Sequence, residues 1–135
     1  MTRVLLIDGN RVSAQSMAMS CVEDGIAVRL AETLCEGVRY MMEGPVSVVL
    51  IDSALLRLSG HEQVRLFDAV APGVPIAVLV PEGTVVEEIV KLQVRGFHVV
   101  SRPLEVRDLL AKVERPVRLP RARPGATSQV EALCG

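Results

Sequence analysis

Five short apolar runs, each followed by a stretch with helical spacing, recur along the chain, and this alternation limits the fold more than any other feature. The first run is Arg3 to Ile7, closed by Asp8. In the second, Ile26, Val28 and Leu30 alternate with Ala27 and Arg29, the pattern of a half-covered or edge strand. The third is Val46 to Ile51, closed by Asp52; Pro75 to Val80 and Phe97 to Val100 are the fourth and fifth. Short continuous apolar runs suit strands covered on both faces. Between them the spacing predicts helices. One covers Asn10 to Glu23, with Val12, Ser16, Met19 and Val22 on one face. One starts at Thr33 and turns Val38, Met41 and Met42 inward, and one starts at Ser59 with Val64, Phe67 and Ala71 on one face. A fourth runs from Pro81-Glu82-Gly83 through Arg95, with Val85, Ile89 and Leu92 sharing a side. Val106, Leu109, Leu110 and Val113 mark a fifth. Strand–helix alternation at this interval implies a parallel sheet with right-handed crossovers and helices on both faces.

Local signals agree with these boundaries. Thr33 and Glu36, and again Ser59 and Glu62, have the capping-box spacing, in which each side chain bonds the other's backbone amide. Gly44-Pro45 ends the second helix if Gly44 takes the left-handed cap conformation and Pro45 blocks continuation. Asp24-Gly25, Pro72-Gly73 and Gly96 punctuate the others. After residue 115 periodicity stops. Pro116, Pro120 and Pro124 break helix and ladder bonding, and Arg115, Arg118, Arg121 and Arg123 face Glu131 alone. The chain therefore divides into a domain over 1–115 and a flexible Pro/Arg-rich tail over 116–135.

Composition removes several classes of function. Hydrophobic residues are 50% and charged residues 23% of the 135, with a formal net charge of -1. There is core enough for one domain, and no overall field to gather nucleic acid or an anionic membrane. Aromatics are 2%, too few for a base- or sugar-stacking platform. No apolar run approaches the roughly 20 residues of a membrane span, and the amino terminus lacks a signal-peptide pattern. Three cysteines, Cys21, Cys35 and Cys134, fit neither a metal motif nor a paired disulfide set. These features point to a cytoplasmic domain with no nucleic-acid or membrane partner.

In open parallel sheets, ligands sit outside the carboxyl ends of the strands, near the switch in strand order. Asp8 and Asp52 meet at that rim if strands one and three are neighbours, as in the flavodoxin-like (βα)5 order 2-1-3-4-5. The bland alternative is two strand-end carboxylates that only bond loop amides.

At this point the chain resembles the receiver domain of two-component response regulators, with chemotaxis-protein-like proportions, over about residues 1 to 114. Arg3-Val-Leu-Leu-Ile-Asp8-Gly9-Asn10 is similar to that family's first strand and acidic end. Ser47-Val-Val-Leu-Ile-Asp52, with Gly60 eight residues on, resembles the phospho-acceptor strand and its loop. Gly25 to Glu32 and Val74 to Val80 resemble the second and fourth strands, and Arg102-Pro103-Leu104 stands where the family has Lys-Pro-aromatic. The resemblance implies an Asp that attacks phosphorus, an acidic pair holding Mg²⁺, a Ser or Thr that reports the phosphate, and a Lys that pairs with it.

Carried over residue by residue, Asp52 matches the acceptor and Asp8 the first acidic position. The second acidic position, the direct Mg²⁺ ligand, is Gly9, with Asn10 able to offer only an amide oxygen in its place. The hydroxyl position is Val80. The Lys position is Arg102, one residue early relative to Gly96, and Arg keeps the charge without being a Lys equivalent. The aromatic switch falls at Val99 or Val100. This pattern resembles an atypical, or pseudo-, receiver: a signalling module rather than an enzyme. Its implied partners are a histidine kinase or another signalling protein. Val86, Val90 and Val94 on the fourth helix are spare apolar positions on the face formed by helix four, strand five and helix five, which could also pair two chains. The competing reading is a flavodoxin-like small-ligand or enzyme domain using the same crevice. It would need a phosphate-cradling loop or aromatic flanks, and Gly9-Asn10 is all the sequence offers.

Overall fold

A computed structural model describes residues 2–56 and 60–102, without the side chains of residues 60, 61, 63 and 64. The elements are β1 (Arg3–Ile7), α1 (Arg11–Glu23), β2 (Ala27–Ala31), α2 (Leu34–Glu43), β3 (Val48–Asp52), a 3-10 turn (Ser53–Leu55), α3 (Gly60–Val70), β4 (Ile76–Val80), α4 (Val86–Val94) and β5 (His98–Ser101). All strand pairs are parallel, in the order β2-β1-β3-β4-β5. The expected fold is therefore the observed one, a five-stranded doubly wound α/β sheet. The amphipathic stretch at Val106 to Val113, the cap at Ser59 and the tail over 116–135 lie outside the described residues.

The runs are continuous because alternate side chains of each inner strand enter two different cores. Leu5, Ile7, Val49, Ile51, Val78 and Val80 pack with Val38 and Met41 of α2 and Leu66 and Phe67 of α3. Val4, Leu6, Val48, Leu50, Ala77 and Leu79 pack with Ala14 and Cys21 of α1. Two covered faces leave no room for a polar alternation. The edge strands are partly open: β2, as its alternating sequence predicts, and β5 at the other side. At Gly37 α2 crosses β1 so closely that a Cβ would collide with Cδ1 of Ile7 and lie 2.7 Å from its Cγ1. Glycine is what permits that approach.

The structure corrects several helix faces. In α1 the buried side is Ala14 and Cys21, with Met17 packed beside them, whereas Val12, Met19 and Val22 are exposed. Apolar residues occur on several sides of this helix, so their spacing could not choose one; the sheet took the side with small residues, which permits close packing. In α2, Met41 is buried and Met42 exposed, one helical step apart. Val85 is exposed because it precedes α4 as its N-cap residue rather than lying on the helix, while Ile89 and Leu92 do face the core. Gly44 ends α2 in extended backbone, φ -174°, not in the left-handed cap. Half of the first capping box forms: the Glu36 amide donates to Thr33 Oγ1 at 3.1 Å, but the Glu36 carboxylate accepts from the Tyr40 hydroxyl at 3.0 Å. Among the described residues no helix is long and apolar enough to cross a membrane.

Candidate functional site

Strands β1 and β3 are neighbours, with Ile7 opposite Ile51, so the residues that follow them emerge together at the carboxyl rim. Asp8 is 1% exposed. Its backbone N–H donates to the Ala31 carbonyl at 2.9 Å, which extends the β1–β2 ladder by one bond and fixes the direction of its side chain. One carboxylate oxygen, Oδ1, accepts from the Asn10 amide at 2.9 Å. The other, Oδ2, accepts from Nη2 of Arg102 at 2.9 Å. The same Nη2 lies 3.8 Å from Oδ1 of Asp52, whose side chain is 23% exposed.

Arg102 is held at several points. Its backbone N–H donates to the Val80 carbonyl at 2.9 Å, continuing the β4–β5 ladder past Ser101. Its Nη1 donates to Oγ of Ser13, in the first turn of α1, at 3.0 Å. The guanidinium thus joins β5, α1 and the end of β1, and it sits against both carboxylates. Asp8, Asp52 and Arg102, distant in sequence, meet at one rim. Ser13 is a member of this cluster that the sequence did not single out. It reads there as an ordinary first-turn serine, and its partner is 89 residues away.

The other candidate positions surround this centre. Val80, 2% exposed, and Val99 face the core shared with α3, and Val100 packs on the opposite face of the sheet. None carries a group that bonds an oxyanion. Gly9 is exposed and contributes no ligand. Asn10 serves instead as the N-cap of α1, where its side-chain oxygen accepts from the Ser13 amide at 3.1 Å. That leaves two carboxylates, one already bonded to a guanidinium. No group of three or more His, Cys, Asp or Glu is placed to hold a metal ion among the described residues. The donor set does not fit Mg²⁺, which wants near-octahedral hard oxygens.

Nearby, Arg11 bonds Glu32 through Nε at 3.0 Å, and that carboxylate raises the guanidinium's pKa further. The pair is exposed, so it adds little to stability. A shallow cavity of about 210 Å³ lies between them, lined by Asp8, Gln15, Leu30 and Ala31. A larger one, about 380 Å³, opens at the other end of the sheet beside Arg3, Ala27, Tyr40 and Val46. This second concavity lies away from the carboxylate rim. Burial pushes the Cys21 thiol above its ordinary value, which suits a packing residue rather than a nucleophile. On α4, Val86, Val90 and Val94 are 72%, 45% and 61% exposed, a row of valines without cover among the described residues.

Known proteins share this fold. The transcriptional regulatory protein CusR of Escherichia coli K12 is 23% identical over 116 residues, 86% of this chain and 51% of CusR. The chain spans about half the length of the curated relatives it matches. A response regulator from Burkholderia pseudomallei, solved with a phosphorylated aspartic acid, calcium ion and citrate, superposes with TM-score 0.71 at 24% identity, covering 84% of this chain and 66% of that one. The beryllofluoride-activated NtrC4 receiver domain dimer superposes with TM-score 0.70 at 22% identity, covering 84% and 94%. These solved structures agree in fold. The model of the response regulator receiver domain matches residues 4–114, a span that takes in the βα repeat described above. With the strand order 2-1-3-4-5 and acidic residues closing β1 and β3, the chain belongs to the receiver domains of two-component response regulators.

Proposed function

We propose that this receiver is an atypical one, which signals by binding partner proteins and does not use the Mg²⁺-dependent phosphoryl switch. The observation that carries this reading is the Arg102 guanidinium bonded to Asp8 Oδ2 at 2.9 Å and lying 3.8 Å from Asp52, where a metal and an incoming phosphoryl group would have to go. Two further features support it. Val80 offers no hydroxyl to an oxyanion, and Gly9 offers no carboxylate to a metal. A phosphoryl group on Asp52 would thus lack both its neutralising ion and its reporter.

The surface for partners is α4 with β5, through Val86, Val90 and Val94. Isolated exposed valines are ordinary, but three in a row at helical spacing form a patch that suits an apolar partner surface. A related receiver is described as a dimer, which makes a second copy of this chain one candidate partner and a histidine kinase another.

Incubation with acetyl phosphate and Mg²⁺, followed by intact-mass measurement, tests the reading. The expected result is an unmodified chain under conditions that phosphorylate an ordinary receiver. An adduct that disappears in Asp52→Asn would establish Asp52 as a phospho-acceptor and overturn the phosphate-free account.

A further inference from the structure

We propose that Arg102 is the resident counter-cation of this receiver, seated where a divalent ion would bind the Asp8–Asp52 pair, so that the carboxylate centre is complete without metal. The inference rests on the reading of this same site given above and extends it from phosphate to metal.

One nitrogen, Nη2, serves both carboxylates, at 2.9 Å and 3.8 Å. Asp8 is 1% exposed, and a charge that deep needs a compensating cation. The guanidinium supplies it with no association step, because it is part of the chain and its desolvation is met on folding. It is also hard to displace. Its backbone is anchored to Val80 and its Nη1 to Ser13, so swinging the guanidinium aside breaks its bonds to Ser13 of α1 and to Asp8 together. A divalent ion entering beside it would meet a like charge within a few ångströms and would find only Asp8 and Asp52 as carboxylate ligands. The position that could restore a third carboxylate is open. A Cβ on Gly9 would meet only the Glu32 carbonyl at 3.7 Å and Leu55 Cδ2 at 3.8 Å, ordinary contacts. The metal seat is thus suppressed by the guanidinium and by the carboxylate missing at Gly9 rather than erased from the fold.

Thermal unfolding with and without roughly 10 mM Mg²⁺ or Mn²⁺ tests this, with no phosphodonor present. The wild-type midpoint is expected to stay within about 1 °C, and so is that of Gly9→Asp, in which the guanidinium still bonds Asp8. The double variant Gly9→Asp/Arg102→Met is expected to gain about 5 °C or more on adding metal. If Arg102→Met does not fold, Mn²⁺ binding to wild type and to Gly9→Asp, followed by titration calorimetry, decides the matter, and no binding by either is the supporting result. Metal binding by wild type, or a response of Gly9→Asp alone as large as that of the double variant, would overturn the proposal. A phosphoryl adduct on Asp52 in the mass assay would sink the functional reading and leave this result standing, so the two fail separately.

Discussion

Arg102→Met is expected to lower the unfolding free energy by about 2–4 kcal/mol in urea denaturation, a large share of the roughly 5–15 kcal/mol that holds a domain of this size. Most of the loss comes from Asp8 rather than from Arg102 itself. Asp8 is 1% exposed, and without the guanidinium its carboxylate keeps, among the described residues, only the Asn10 N–H on one oxygen. Breaking a buried ion pair from one side typically costs about 3–5 kcal/mol because a charge is left without a partner. The lower range applies here, since Arg102 is 26% exposed and water can enter part of the space it leaves. The tie from β5 to α1 through Ser13 is lost as well. Asp8→Asn in the Arg102→Met background removes the stranded charge, so the double variant should regain about 1–2 kcal/mol over the single one. A loss below about 1 kcal/mol for the single variant would mean that the pair contributes nothing net to the fold.

Phe67→Ala is expected to be at least as damaging, at about 3–5 kcal/mol in the same measurement. Phe67 is fully buried between α3 and the sheet, and its ring meets that of Phe97 edge to face, centroids 6.1 Å apart at 88°. That geometry sets the positive edge of one ring on the negative face of the other and adds about 0.5–1.5 kcal/mol beyond burial. Phe97 is the one other phenylalanine in the chain. Phe97 leads directly into β5, and a cavity there loosens the strand that delivers Arg102 to the rim. Phe67→Leu, which keeps most of the volume, should lose clearly less. Equal losses for Leu and Ala would assign the effect to the ring pair instead of the cavity.

How far the molecule can be read from its sequence differs between strands, helices and site. Val49 and Leu50 are adjacent, point to opposite faces and are both wholly buried, so their run had to be continuous, and continuity is visible in one dimension. The face of α1 is not visible in that way. Val12, Met19 and Val22 satisfy helical spacing as well as Ala14, Met17 and Cys21 do, and only packing against the sheet separates the two sets. At the rim, Asp8 and Asp52 stand out because a carboxylate directly after a buried strand is conspicuous. Arg102 stands out from its place before Pro103. Ser13 gives no such signal, since its role depends on a guanidinium arriving from the far end of the chain. Asn10 suits both a metal ligand and a helix cap by type, and the distance from its side-chain oxygen to the Ser13 amide is what assigns it to the cap.

Beryllofluoride, which occupies the place of a phosphoryl group on an acceptor aspartate, offers the most direct measurement. Amide NMR spectra of the full chain would be recorded with and without beryllofluoride and Mg²⁺, following the backbone signals of Asp8, Asp52, Val80 and Arg102. The two spectra are expected to coincide, because the guanidinium already neutralises the carboxylate pair and Val80 has no hydroxyl to turn inward. Shifts at Asp52 that spread through Val80 to β5 and α4 would show an intact phosphate switch and contradict it.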